Sequence, residues 1–328
     1  MKQEAFEARY KDDWQQFEEW IAIMTAGRRA VANSGEQDNI AKGFPAAYRQ
    51  VCHHLALARA RRYSVGLQQR LNRLALDGHQ YLYRARTPIF SSMLRFVAFG
   101  FPQAFRKQWR FMLASALLFC VPIAGMSVAV ALDPDLIYSL ISPGQVASME
   151  EMYDPANDVL GRERESDTDA LMFGFYIANN IGIGFRTYAG GLVFGIGSMF
   201  FLSFNGLYFG AVATHLTMAG FSSTFWPFVS GHSAFELTAI VIFGGAGLML
   251  GMAAVAPGRK SRWHAIRDRA MESMPLVYGG TAMLVAAAFV EAFWSSTTWP
   301  PINLKIVVGI SLWLITIIYF SLMGRRES

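Results

Sequence analysis

Two cysteines are all that the 328 residues offer for disulfide or thiolate chemistry, with Cys52 in a polar region and Cys120 inside an apolar run. That separation leaves no expectation of a disulfide or a thiolate metal site. Residues 1–108 lack an early apolar segment, so a cleaved signal peptide is not expected and the first span itself acts as the insertion signal. No P-loop is present, which excludes ATP use by the chain itself. Ser198, Ser203 and Ser233 lie in apolar runs without a Gly-x-Ser-x-Gly elbow or a Ser-Lys pairing. His232 and Glu236 invert part of the zincin spacing, but His215 and His264 are isolated and His53 and His54 fall in the polar region. The reading is therefore non-enzymatic, with no catalytic residue, metal or cofactor.

Charge is equally scarce in the second part of the chain. Hydrophobic residues make up 53% of the sequence and concentrate after residue 110, which defines a multi-spanning membrane protein and not a soluble one. Phe111–Leu132 runs 22 residues without a charge, enough to cross about 30 Å of hydrocarbon. Further spans are expected at 229–256, 275–294 and 306–323. Between them, 170–216 reads as a hairpin: a short arm 170–185, an inner turn at Arg186 and Thr187, and a longer arm 188–214. The fold class is all-α, with about six spans; the short second arm either spans or re-enters, and the latter gives four.

Residues 1–110 carry 18 Lys and Arg against 9 Asp and Glu, whereas 133–169 carry 2 against 10. Basic clusters at Arg106, Lys107 and Arg110, at Arg259 to Arg269, and at Arg325 and Arg326 flank the spans and place both termini in the cytoplasm of an inner-membrane protein. The charge follows topology, so it does not point to nucleic acid. Two parts follow: residues 1–108, a cytoplasmic helical module with an interfacial helix, and 109–328, a transmembrane domain with an acidic periplasmic loop at 133–169. In the module, Phe6, Tyr10, Trp14, Phe17, Ile21 and Met24 form one helical stripe, Phe44-Pro45 opens a second helix, and Ser64 caps a third carrying Leu67, Leu71, Leu74 and Tyr81. From Pro88 to Phe105 an apolar face with Arg95 and Arg106 suits a helix lying in the membrane surface. The acidic loop is too long for a plain connection and is expected to have structure or a partner.

Gly191 with Gly195, and Gly206 with Gly210, give two G-x-x-x-G spacings, read as close helix packing within one chain, with a homo-oligomer interface as the alternative. The apolar run 228–256 contains His232 and Glu236, four residues apart on one helix face. Ionisable groups at such depth face a protein interior or a water-filled path. Counting 1.5 Å per residue places Asn179, Asn180, Asn205 and Glu236 together about 12–15 Å below the outer surface. His232 and Glu291 come out shallower, Glu291 as a snorkelling acid. This set is either a structural network or an ion, proton or ligand site.

Asn179-Asn180, the run GGLVFGIGSMFFLSFNGLYFGA, then GHSAFELTAIVIFGGAGLMLG and FVEAF together resemble the stage II sporulation protein M family. Ser233 follows His232 where the family usually has glycine. The N-terminal FPAAYRQVCHHLALARARRYS resembles the extended Gram-negative branch. For the sporulation branch the resemblance implies a polytopic scaffold that recruits peptidoglycan-degrading enzymes; for the extended branch it implies a membrane protein of unassigned activity encoded near an AAA+ ATPase and von Willebrand-like membrane proteins. Besides the lipid bilayer, the partners expected are thus membrane or envelope proteins of these kinds. A transporter or channel using the Asn/Glu cluster is the alternative.

Overall fold

Apolar residues repeating every three or four positions set the helices of the first part of the chain, and long uncharged apolar runs set those of the second. The structure, a computed structural model, describes residues 2–25, 34–84, 89–157, 160 and 169–325. Among these, every regular element is helical. The side chains of Met24 and Tyr81, and Pro88, Asp158, 161–168 and Arg326, lie outside the described residues. The chain divides into two compact units, Met1–Ser92 and Met93–Ser328.

The first unit holds α1 (Gln3–Thr25), α2 (Ser34–Ala60) and α3 (Val65–Arg84). Phe6, Trp14 and Phe17 of the α1 stripe bury against Phe44, Val51, Leu55 and Ala58 of α2 and Leu67, Leu71 and Leu74 of α3. Ser64 caps α3, its Oγ accepting from the Leu67 N–H at 3.4 Å. Pro45 does not open α2 but lies inside it. Ile40 and Phe44 both reach the core, so packing extends the helix ahead of the proline despite the missing N–H.

His54 is buried in this core, where its Nδ1 accepts from the Trp14 Nε1–H at 3.0 Å. Burial lowers its affinity for a proton below the ordinary value of 6.5; His53 adds to this and Asp13 opposes it. Protonation must also displace the Trp14 hydrogen bond. The stability this neutral imidazole contributes is present above pH 6.5 and is lost as pH falls through that value toward the lower one of the folded state. Protection of the α1 and α2 amides against hydrogen exchange, relative to their intrinsic rates, is expected to fall as the pH of the full chain drops below 6.5, and His54→Phe to flatten that dependence. Equal acid sensitivity in the variant would rule out His54 as the cause.

The second unit begins with the end of α4 (Ile89–Arg95), a π-turn (Phe96–Gly100) and α5 (Phe101–Lys107). Phe101 inserts against Gly279 and Phe320, and Arg106 donates to the Phe320 carbonyl at 2.8 Å. Then come α6 (Trp109–Leu132), a 3-10 turn (Pro134–Ser139), α7 (Pro143–Met152) and α8 (Asp169–Ala189). After a second 3-10 turn (Gly190–Leu192) follow α9 (Ile196–Met218), α10 (Ser222–Val255) and α11 (Arg262–Val290). A π-turn (Glu291–Ser295) and α12 (Ile302–Leu322) complete the unit. Among the described residues, five helices are long and apolar enough to cross a membrane: α6, α9, α10, α11 with its π-turn, and α12. The shorter α8, with Asn179, Asn180 and Arg186, is not among them.

Helix α10 is the most buried of the five and packs on α6, α8, α9, α11 and α12. The expected turn at Arg186 and Thr187 is displaced: α8 continues to Ala189, and the chain reverses over 190–195, where Gly195 has φ +84° and Phe194 φ 51°. Glycine tolerates such a conformation and the run GGLVFG concentrates it here. Gly191 and Gly195 consequently sit in the turn and not on a packed helix, and they touch the α10 backbone at Gly247 and Gly251. Gly206 and Gly210 do lie on α9. Their open faces meet the Phe119 and Ile123 carbonyls of α6 in the same chain, so that α6 occupies the face a dimer would use.

The acidic segment is ordered where described. Ser142 and Gln145 form a capping box at the start of α7. Ile137, Ile141 and Val146 bury against Val130 of α6 and Ala211 of α9.

Candidate functional site

One turn of α10 separates His232 from Glu236, and both side chains reach the same cavity, about 300 Å³ in volume. Helix α8 contributes Tyr176, Asn179 and Asn180, α9 contributes Tyr208, Phe209 and Val212, and the π-turn contributes Glu291. Met149, Met152 and Tyr153 cover it from the α7 side. Three contacts hold that cover: His215 Nε2 to Glu150 Oε1 at 2.8 Å, the Thr224 hydroxyl donating to the Tyr153 carbonyl at 2.6 Å, and Tyr153 packed edge-on against Phe225 and Phe228.

The depth count separates His232 from Glu236, but the structure brings them together: His232 Nε2 lies 3.7 Å from Glu236 Oε2. One helical turn is shorter than the combined reach of the two side chains, so depth along the axis does not keep them apart. Glu291 is likewise not a snorkelling acid. Its carboxylate joins the other two groups, with one ligand atom from each of the three within 4.8 Å of the others. Asn205, by contrast, does not join. Its amide turns back to donate to the Phe201 carbonyl at 2.7 Å, and it does not line the cavity. A local i−4 acceptor satisfies it within its own helix, which depth alone does not register.

Asn179 and Asn180 do reach the cavity. The Asn179 amide donates to Asn180 Oδ1 at 3.0 Å, while Asn180 Nδ2 is buried without a partner. A buried donor left unmet costs about 1–3 kcal/mol, so the Asn180 amide is a place for an acceptor oxygen beside the cavity. His232 is fixed from behind, its Nδ1 3.1 Å from the Ser295 hydroxyl. Two carboxylates this close would repel by roughly 3–4 kcal/mol at an effective dielectric of 20 if both were ionised, a cost that a bound cation or a shared proton removes. Burial first, then Glu291, Tyr176, Glu236 and Tyr208, push the Tyr153 hydroxyl of the cover well above the ordinary tyrosine value.

Sequence reasoning misses Tyr153, Tyr176, Tyr208 and Ser295. Tyr176 precedes Asn179 and Asn180 by three and four residues, so a helical-face argument reaches it. Tyr153 and Ser295 come from a loop segment and a π-turn, neither of which shows in the spacing. Lys305 is a further omission: it is buried near the start of α12, and its ammonium donates to the Ser295 carbonyl at 2.8 Å and also to that of Thr297.

A glycine-packed bundle of long apolar helices with a polar cavity inside it defines a polytopic helical membrane protein. Residues 115–296 match the profile of Stage II sporulation protein M, over half of the chain, and the chain belongs to that family. Residues 4–84 separately match a domain of unknown function, in the first compact unit. No curated protein and no solved structure matches the chain.

Proposed function

We propose that the chain is a non-enzymatic integral protein of the bacterial inner membrane that serves as an assembly component of a cell-envelope complex. It crosses six times, with α8 as the short second span, and keeps both termini and the first unit in the cytoplasm. The basic residues Arg106, Lys107 and Arg110 before α6, Arg259 to Arg269 between α10 and α11, and Arg325 after α12 support that orientation. The observation that carries the assembly reading is the folded acidic segment. Buried contacts anchor it to the bundle, while Asp133, Asp135, Glu151 and Asp154 remain exposed, making a fixed negative platform for a periplasmic partner. Peptidoglycan-remodelling factors on this side, and an AAA+ ATPase system on the cytoplasmic side, are the partner classes we would look for first.

Releasing the platform tests the proposal. His215→Ala removes the Glu150 contact, and Thr224→Val removes the bond to the Tyr153 carbonyl. The double variant is expected to reach the membrane and to lose at least about 10-fold of the envelope proteins that co-purify with the wild-type chain, a cost of 1.4 kcal/mol or more in binding. An unchanged set of co-purifying proteins would defeat the platform reading.

The cavity at Glu236 favours a second reading, ion or proton passage. Below Glu236, however, Ala239, Ile242, Phe243 and Ala246 of α10 are all fully buried, which counts against an open path along this helix. Proteoliposomes decide the matter: passage requires flux through the wild-type chain and its loss in folded Glu236→Gln, whereas an assembly component shows neither.

A further inference from the structure

We propose that His232, Glu236 and Glu291 bind a single divalent transition cation, of the Zn²⁺ or Mn²⁺ class, in the cavity beneath α7. The inference goes beyond the assembly reading and does not depend on it.

The spacing of His232 and Glu236 is that of ligands around an ion and not of a hydrogen bond. At 3.7 Å, His232 Nε2 and Glu236 Oε2 are too far apart to share a proton directly. Ligands 2.0–2.2 Å from a tetrahedral ion lie about 3.3–3.6 Å from one another. The three ligand atoms all lie within 4.8 Å of one another, near enough to share one ion. One turn of α10 supplies two ligands from one face. The third comes from the residue where the regular register of α11 gives way to the π-turn, a device often found at functional sites.

The surroundings also fit. Ser295 meets His232 at Nδ1, the nitrogen turned away from Glu236. An Nδ1–H donated to that hydroxyl leaves the Nε2 lone pair directed at the carboxylates, the usual outer-shell arrangement of a metal-binding histidine. Two ionised carboxylates and a neutral imidazole carry a charge of −2, which one divalent ion neutralises. The imidazole selects against Mg²⁺ and Ca²⁺, which take oxygen ligands, and favours a first-row transition ion. Three protein ligands leave a coordination position toward the cavity. The second, independent observation is Asn180, a buried cavity-lining residue whose Nδ2 has no partner and suits the oxygen of a water or other ligand on the ion.

The test uses the full chain, purified in lipid nanodiscs without a histidine tag, stripped with chelator and titrated with Zn²⁺ or Mn²⁺ alone. Elemental analysis and Mn²⁺ paramagnetic resonance read the outcome. About one ion per chain is expected, with affinity falling on the order of 100-fold or more in Glu236→Gln and in Glu291→Gln through loss of a ligand. Ser295→Ala keeps all three ligands and is expected to weaken binding about 10- to 100-fold, as removal of an outer-shell partner does. It decides the question if the glutamate variants do not fold. A folded wild-type chain that retains no ion would overturn the site, leaving a carboxylate pair that shares a proton. An ion held equally well by the folded variants is adventitious and would overturn it too.

Discussion

Gly247→Ala is expected to cost the membrane unit about 3 kcal/mol or more, the upper end for overpacking, because the atoms it displaces are mostly backbone. A Cβ at Gly247 meets the Ser198 hydroxyl and lies 2.8 Å from the Thr187 carbonyl and 3.0 Å from that of Tyr188. A Cβ at Gly191, on the other side of the contact, runs into the Gly247 carbonyl itself. Ser198 donates to the Thr187 carbonyl at 2.6 Å, so separating the chains also strains a buried hydrogen bond. A side chain relieves a clash by changing rotamer, but here the end of α8, which leads into the 190–195 turn, has to lift off α10. Gly125→Ala on α6 and Gly182→Ala on α8 are the controls, since nothing lies within 4 Å of a Cβ at either. Both are expected to be neutral or slightly stabilising through helix propensity. Thermal unfolding in detergent separates the two groups. A Gly247→Ala chain melting with its controls would mean that the turn is not held against α10.

That contact marks the limit of what spacing reveals. The glycines stand out in the sequence, and their role in close approach is legible there; whether they approach as a helix or as a turn is not. G-x-x-x-G periodicity describes Gly206 and Gly210 on α9. The same period at Gly191 and Gly195 arises in a reversal that the left-handed conformation of Gly195 completes. Elements dominated by local pattern were readable for a physical reason: a span needs an uncharged run and an amphipathic helix needs its stripe, and both conditions are written within one segment. Phe6, Trp14 and Phe17 needed no partner to declare which side of α1 is buried.

The candidate site depends on geometry between segments, and there one-dimensional depth misleads in both directions. It admits Asn205, which satisfies itself within α9, and sets aside His232 and Glu291, which converge on Glu236. Convergence requires a rotation about each helix axis and, at Glu291, a π-turn that changes the direction of the side chain. Neither is encoded as a period. The tyrosine of the cover comes from a segment whose charge marks it as solvent-facing, although burial of its apolar residues is what holds it to the bundle.

The π-turn has its own support, and removing that support is the second large effect expected. Lys305 is 3% exposed, and its ammonium donates to the carbonyls of Ser295 and Thr297, where the last turn of the helix has no intrahelical N–H to offer. A buried ammonium is costly unless it is paired in this way, and a carbonyl deprived of a charged donor costs about as much as the bond contributed. Lys305→Met keeps the volume of the stem and removes the charge, so the loss isolates the hydrogen bonds. About 3 kcal/mol is expected, from two charge-assisted bonds at roughly 1.5 kcal/mol or more each. Because Ser295 also meets His232, hydrogen exchange should rise first across 292–299, with α1 to α3 unaffected. If Lys305→Met unfolds at the wild-type temperature with unchanged exchange at 292–299, the lysine is a passenger and the π-turn is stable through its packing alone.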